Sequence, residues 1–339
     1  MSAPLPPHKS GWLITALRNR IVQLGIVVWI LFAAAIPFLA RGAVPFDQPG
    51  LAAMPYRTRV GFFVVGPLFA FIFIAVTYVV TRRRTVNIGE RSPERAIALR
   101  ETFGLLVYGA VVLLVAQPVG HIIGTHGIGL HLTGSMFGTS DTVTPREAWS
   151  WSLYNFVFYA ALPYLFFRKR GYSREQLCLT SNNVANDSLL ITLVLGLGLA
   201  GDLPGSPLWR LNPHQLAAGA GLAFVLSFFG TAVPIMIFLT SILVPRYYKL
   251  TGSAAATCVL SGFTYASLHL TEHWTRYDTP AHGALSVIFI FLLFGGPGMV
   301  KGYMTLRTGN AWVHLWGFHV FWPHVSGDTP LFVRIFGIQ

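Results

Sequence analysis

Uncharged apolar runs about as long as a bilayer is thick recur along this chain, and nothing else in it constrains the fold as much. A helix rises 1.5 Å per residue, so crossing a hydrocarbon core of roughly 30 Å takes about 20 apolar residues. Runs of this kind cover residues 21–40, 60–81, 102–120, 148–167, 188–201, 211–245, 250–270, 279–300 and 308–323. The run at 188–201 is short and Gly-rich and draws on residues at either side. The run at 211–245 is too long for one upright helix, and Pro234 can kink it. Backbone polar groups in lipid must be satisfied within their own segment. The expected fold is therefore all-α: a polytopic integral membrane helix bundle of eight to ten transmembrane or membrane-embedded helices.

Composition and charge agree. Of 339 residues 53% are hydrophobic and 11% charged, where a soluble domain carries roughly 25% charged residues. The net charge is +12, but the basic residues sit between the apolar runs rather than along a groove with interleaved aromatics. This excludes nucleic acid and leaves the lipid bilayer as the partner. Arg18 and Arg20 precede the first run. Arg82, Arg83, Arg84, Arg91, Arg95 and Arg100 follow the second; Arg168, Lys169, Arg170 and Arg174 follow the fourth; Arg246 and Lys249 follow the long run. With alternating helices all four groups fall on one side. The positive-inside rule makes that side cytoplasmic, with the N-terminus, in an inner or plasma membrane. Lys301 and Arg307 are the only guides for the last two segments. The polar, Pro-rich segment 1–11 precedes a first run too long for a signal-peptide core, so 21–40 reads as a retained helix. Cys178 and Cys258 fall in different settings and imply no disulfide. No internal repeat suggests an inverted-repeat transporter.

Chemistry concentrates in the histidines, all but one of which fall at or after residue 121. His121, His126 and His131 are spaced by five in a Gly-rich stretch. Five residues of α-helix turn through about 500°, so they share no helical face, and they read as an exterior loop. His269, Glu272 and His273 follow the H-x-x-E-H order of inverted zinc peptidases, in which two histidines one helical turn apart bind the metal and the glutamate activates water. Against this, Trp274 to Asp278 read as interfacial, which favours solvated roles for Glu272 and His273. His314, His319 and His324 again recur at five. His314 and His324 read as headgroup anchors in an aromatic segment, and His319 as a partner of His269 in a bundle core.

Three stretches resemble the CAAX-protease and bacteriocin-processing (CPBP) family of intramembrane proteases. Residues 164–177 are similar to the basic loop preceding that family's core. Phe263 to His269, with Tyr265 four residues before His269, resembles its aromatic-x-x-x-His motif. Gly302-Tyr303-Met304, then Thr308-Gly309-Asn310-Ala311-Trp312, then His319 resembles its Gly-rich helix and final histidine. The likeness covers about 148–325. It divides the chain into an unmatched N-terminal part (1–147), a CPBP-like membrane core (148–325) and a tail (326–339).

The resemblance implies peptide hydrolysis in the membrane, with a membrane-protein or peptide substrate. The family's base is a glutamate of a Glu-Glu-x-x-x-Arg motif, desolvated so that its pKa approaches neutrality. Here the chain departs. Residues 234–243 hold no carboxylate and no arginine, and Pro323 stands where the family has an asparagine. Glu272 is the nearest replacement base and Glu101 a second. The catalytic candidates are thus His269, His319 and Glu272. The metal candidates are His269, His273 and His319, for a divalent ion such as zinc. Three readings remain open: a rearranged hydrolase; a catalytically degenerate scaffold or binding protein; and, from a different class, a histidine-dependent membrane metalloenzyme acting on a lipid or isoprenoid. A transporter is disfavoured because it needs charges within the apolar runs.

Overall fold

The computed structural model describes residues 12–46, 48–52, 54–135 and 137–339. Among these there is helix and no strand. We number the main helices α1 (Arg20–Ala40), α2 (Tyr56–Thr81), α3 (Arg95–Ile122), α4 (145–169), α5 (Val184–Asp202), α6 (Pro213–Thr251), α7 (Ala254–Ser267), α8 (Pro280–Thr308) and α9 (312–335). Six are long and apolar enough to cross a membrane: α1, α2, α3, α6, α8, and α5 together with the short turn that follows it. The expected run at 148–167 is helical with a π-helical turn. That at 308–323 is helical only from Trp312, is π-helical from Leu315 and kinks at Trp322 (φ −111°, ψ 119°), so α9 is two helical pieces joined there. α7 is 14 residues long. Pro234 does not divide the long run, which stays helical from Pro213 to Thr251 through two π-helical stretches. The polar N-terminal segment 1–11 lies outside the described residues.

Local chemistry sets the helix ends. Thr279 caps α8 by accepting from the His282 amide, with Pro280 in the first turn. Ser253 does the same for α7, where a side-chain oxygen satisfies an otherwise orphan amide. Gly252, at φ +62°, ends α6 and turns the chain straight into α7. α8 is the central element, packed on α7 and α2. Its contact with α7 is backbone against backbone: a Cβ on Gly298 would stand 2.8 Å from the Ser261 carbonyl oxygen and 2.6 Å from the Tyr265 Cβ. Small residues of this kind let membrane helices approach closely. α1, α2 and α3 turn large apolar side chains outward, among them Leu31, Phe38, Phe69, Phe103 and Leu114, the face that lipid requires.

The two ends of the bundle differ. At one, Arg84 pairs with Asp187, which also accepts from the Asn310 amide at 2.9 Å, while Arg91 reaches the carbonyls of Glu175 and Gly309. Arg246 belongs here and is not a free loop charge. It is fully buried within α6, donates to Glu101 at 2.7 and 2.9 Å, and lies over the Phe167 and Tyr172 rings. The Tyr172 hydroxyl completes the shell of Glu101 at 2.9 Å, so Glu101 is committed to this pair and far along α3 from the histidines. Cys178 and Cys258 are both buried and unpaired. The opposite end carries the loop 123–144, the turn 268–279 and the last turns of α9. Residues 326–339, set apart above as a tail, begin as buried helix continuous with α9.

Candidate functional site: a buried histidine–carboxylate centre

α7 ends at Ser267, and residues 268–271 form turns. This break decides the site. His269 and His273 are not one helical turn apart and point to different places. His269 faces inward and is fully buried; His273 lies at the surface against Asp141. Glu272 is turned inward with His269 and is buried, not solvated.

The partner that joins them comes from the loop 123–144. His131 is buried, its ring 4.7 Å from that of His269 and its Nδ1 3.5 Å from Glu272 Oε1. Its backbone N–H donates to the same oxygen at 3.1 Å. One ligand atom from each of His131, His269 and Glu272 lies within 4.8 Å of the others, a separation that a divalent ion can close. The expectation that His126 and His131 sit in a plain exterior loop fails at His131, because the loop folds inward. Asn155 and Trp151 of α4 draw it in by donating to the Gly129 and Leu130 carbonyls.

The second surprise is local. Residues 315–325 are π-helical, with hydrogen bonds from i to i+5. His314 closes the α-helical turn before this stretch, and at Trp322 (φ −111°, ψ 119°) the backbone leaves helical space and kinks. With this wider winding and the kink, His314, His319 and His324 form one ladder. Ring centroids are 5.9 Å apart for the first pair and 5.3 Å for the second. All three are buried, so His314 and His324 are not headgroup anchors. The top of the ladder reaches the centre, with His324 5.1 Å from His131. His319 lies deeper, behind Tyr265, whose hydroxyl is 3.4 Å from His319 Nε2. The metal set His269, His273 and His319 is thus not assembled: the three stand in the centre, at the surface and down the ladder.

The imidazoles are held with defined nitrogens available. His269 Nδ1–H donates to the Tyr265 carbonyl at 2.6 Å, and its ring stacks on Phe294 at 3.6 Å. His324 Nδ1–H donates to Asp328 at 2.9 Å, and Ser135 donates to the same carboxylate at 2.7 Å. These are the outer contacts that fix a ligating imidazole's tautomer and ring plane. Among the described residues, His269 Nε2, His324 Nε2, His319 Nδ1 and His314 Nε2 are buried ring nitrogens with no hydrogen-bond partner. A buried polar atom without a partner is costly, and the orphan His269 Nε2 belongs to the group with His131 and Glu272 that a metal ion could close. The donor set of imidazoles and one carboxylate suits zinc or another borderline transition metal over calcium or magnesium.

Electrostatics fit as well. Burial pushes the Glu272 carboxyl up to about 8, against the His131 amide that favours its charged form. Burial and the neighbouring His269, His324 and Lys301 hold His131 well below its ordinary value, so it is neutral. Lys301 is inside the bundle, because α8 runs on to Thr308. It is buried, with Nζ 3.7 Å from the Tyr265 ring centre. The premise that the apolar runs carry no charge therefore fails at this residue. Glu272 borders a small recess lined also by Thr133, Ser135, His273 and Trp274.

Sequence reasoning placed His269, Glu272 and His319 among the candidates. It gave bland roles to His131 and His324, and passed over Asp328 and Ser135. The available signal was the five-residue recurrence of His314, His319 and His324. No family model, curated protein or solved structure matches the chain.

Proposed function

We propose that this chain is a polytopic membrane hydrolase with a divalent-metal centre, a CPBP-like intramembrane peptidase whose base has moved to Glu272. In this reading α4, α7 and α9 are membrane-embedded too, giving the eight to ten helices of the sequence pattern. The arginine-rich end and the N-terminus face the cytoplasm of an inner or plasma membrane, and the centre opens to the other side. The observation that carries the reading is the convergence of His131, His269 and Glu272 in a buried site with orphan ring nitrogens.

His131, His269 and His324 are the imidazole donors. A bound divalent ion supplies Lewis acidity, polarising a carbonyl and lowering the pKa of water. Glu272, desolvated and beside the recess, accepts the proton of the attacking water. Its raised pKa suits that work near neutrality. Tyr265 positions His269 through its carbonyl, and Asp328 positions His324.

The test is cleavage of a fluorogenic transmembrane peptide library by zinc-loaded protein in mixed micelles. Wild type should cleave, and Glu272→Gln should lose about 10² to 10⁴ in rate. Cleavage unchanged in Glu272→Gln, or no cleavage by wild type, contradicts the reading.

A second reading, the lipid- or isoprenoid-active metalloenzyme, is favoured by one feature. An apolar groove of about 300 Å³ between α3 and α4 is lined by Val119, Ile123, Ile128, Leu153, Val157 and Phe158. Ile128, which lines it, lies in the same inward-folded loop as His131. Turnover of a lipid ester in place of peptide would select this reading.

A further inference from the structure

We infer that the chain has a second, solvent-accessible site for a borderline divalent cation such as zinc, built from His126, Asp141 and His273. Three separate segments supply it: the turn after α3, the loop before α4 and the turn after α7. One ligand atom from each lies within 4.8 Å of the other two. The His126 and His273 rings are 4.6 Å apart at their centres, and His273 Nε2 already contacts Asp141 Oδ2. All three remain partly exposed, with side chains 29% exposed at His273 and 46% at Asp141.

A fourth residue turns proximity into a built site. Glu147 is buried at the start of α4, and both its oxygens lie 2.9 Å from His126 Nδ1. Thr144, the N-cap, accepts from the Glu147 amide and fixes the carboxylate's origin. Glu147 thus accepts a hydrogen bond from His126 Nδ1–H and leaves Nε2 free to ligate, the carboxylate–histidine arrangement found behind metal-bound imidazoles. The turn of the chain makes this possible: a Cβ on Gly120 would stand 2.2 Å from the His126 carbonyl oxygen, so only glycine lets the loop fold back so closely. Two imidazoles with one carboxylate favour zinc, cobalt, nickel or copper over magnesium or calcium. Three protein ligands at an exposed position leave a coordination place for water.

The site is distinct from the buried centre, but the two share a turn, since His273 follows Glu272 directly. An ion on His273 ties the turn 268–275 to the loop 126–141 and so fixes the backbone that carries Glu272. The existence of the surface site does not depend on the proposed activity.

The test is zinc titration of untagged, chelator-stripped full-length protein in detergent, with bound zinc counted after gel filtration. Wild type should bind two zinc ions per chain. His126→Ala and Asp141→Ala should each bind one, His269→Ala should bind one, and His126→Ala/His269→Ala none. Glu147→Gln, which spares all three ligands, should weaken the surface ion about tenfold to a hundredfold. If the buried centre does not exist, wild type binds one ion, lost in His126→Ala and kept in His269→Ala. Zinc binding unaltered by His126→Ala and Asp141→Ala, in variants that elute as wild type does, overturns the second site.

Discussion

Glu272 is the residue on which the chemistry turns, and its environment makes a sharp prediction. Below about pH 8 the buried carboxyl is protonated and neutral; above it the carboxylate's charge, beside the imidazoles that hold the ion, favours a bound cation. His131 is already neutral, since its pKa is lowered, and adds no proton to the exchange. Zinc affinity of the buried centre should therefore rise about tenfold per pH unit up to about pH 8 and then level off. Measured in a His126→Ala background, which removes the surface ion, Glu272→Gln should bind more weakly and lose this slope. The same slope in both proteins would assign the proton to another group. The importance of Glu272 was legible in H-x-x-E-H, but its burial was not. Trp274 and Tyr277 suggest an interface, and only the inward fold of the 123–144 loop, a contact across more than a hundred residues, covers the carboxylate.

At the level of elements, the apolar periodicity told where helices lie and much less about their internal pitch. The run 308–323 was recognisable as mostly helix, but it is π-helical from Leu315 and kinked at Trp322, and this local winding brings the histidines together. A reading at 3.6 residues per turn scatters them. Boundaries mattered equally: α7 stops before His269 and α8 continues past Lys301, so one expected helical pair dissolved and one expected loop charge became a buried one. The close packing of α7 on α8 holds the centre through Tyr265. At Gly298 an added methyl would meet the Ser261 backbone and the Tyr265 Cβ at under 3 Å. Gly298→Ala should cost about 1–3 kcal/mol of stability by overpacking. It should also weaken zinc at the buried centre, because the Tyr265 carbonyl orients His269. A thermal melt together with a zinc titration checks both, and an unchanged melt would place the α7–α8 contact elsewhere.

The whole molecule divides its polar groups by depth and end. The arginine-rich end is knitted by Arg84–Asp187, Arg91 and the buried Glu101–Arg246 pair. Such pairs cost more to break than they contribute when made, so they specify helix arrangement more than they stabilise it. The opposite end gathers His126, His131, His269, His273 and His324 with Glu272, Asp328 and Glu147. The membrane class follows from composition and run length alone. Which loop folds back over the site does not, since it depends on Trp151 and Asn155 of α4 finding carbonyls in the 123–144 loop. The account rests on the buried centre being a metal centre. Elemental mass spectrometry of untagged protein purified without chelator tests this most directly, with His126→Ala used throughout to remove the surface ion. About one transition-metal ion per chain should remain in His126→Ala and disappear in His126→Ala/His269→Ala. No metal in His126→Ala, or metal retained when His269 is removed, would contradict it.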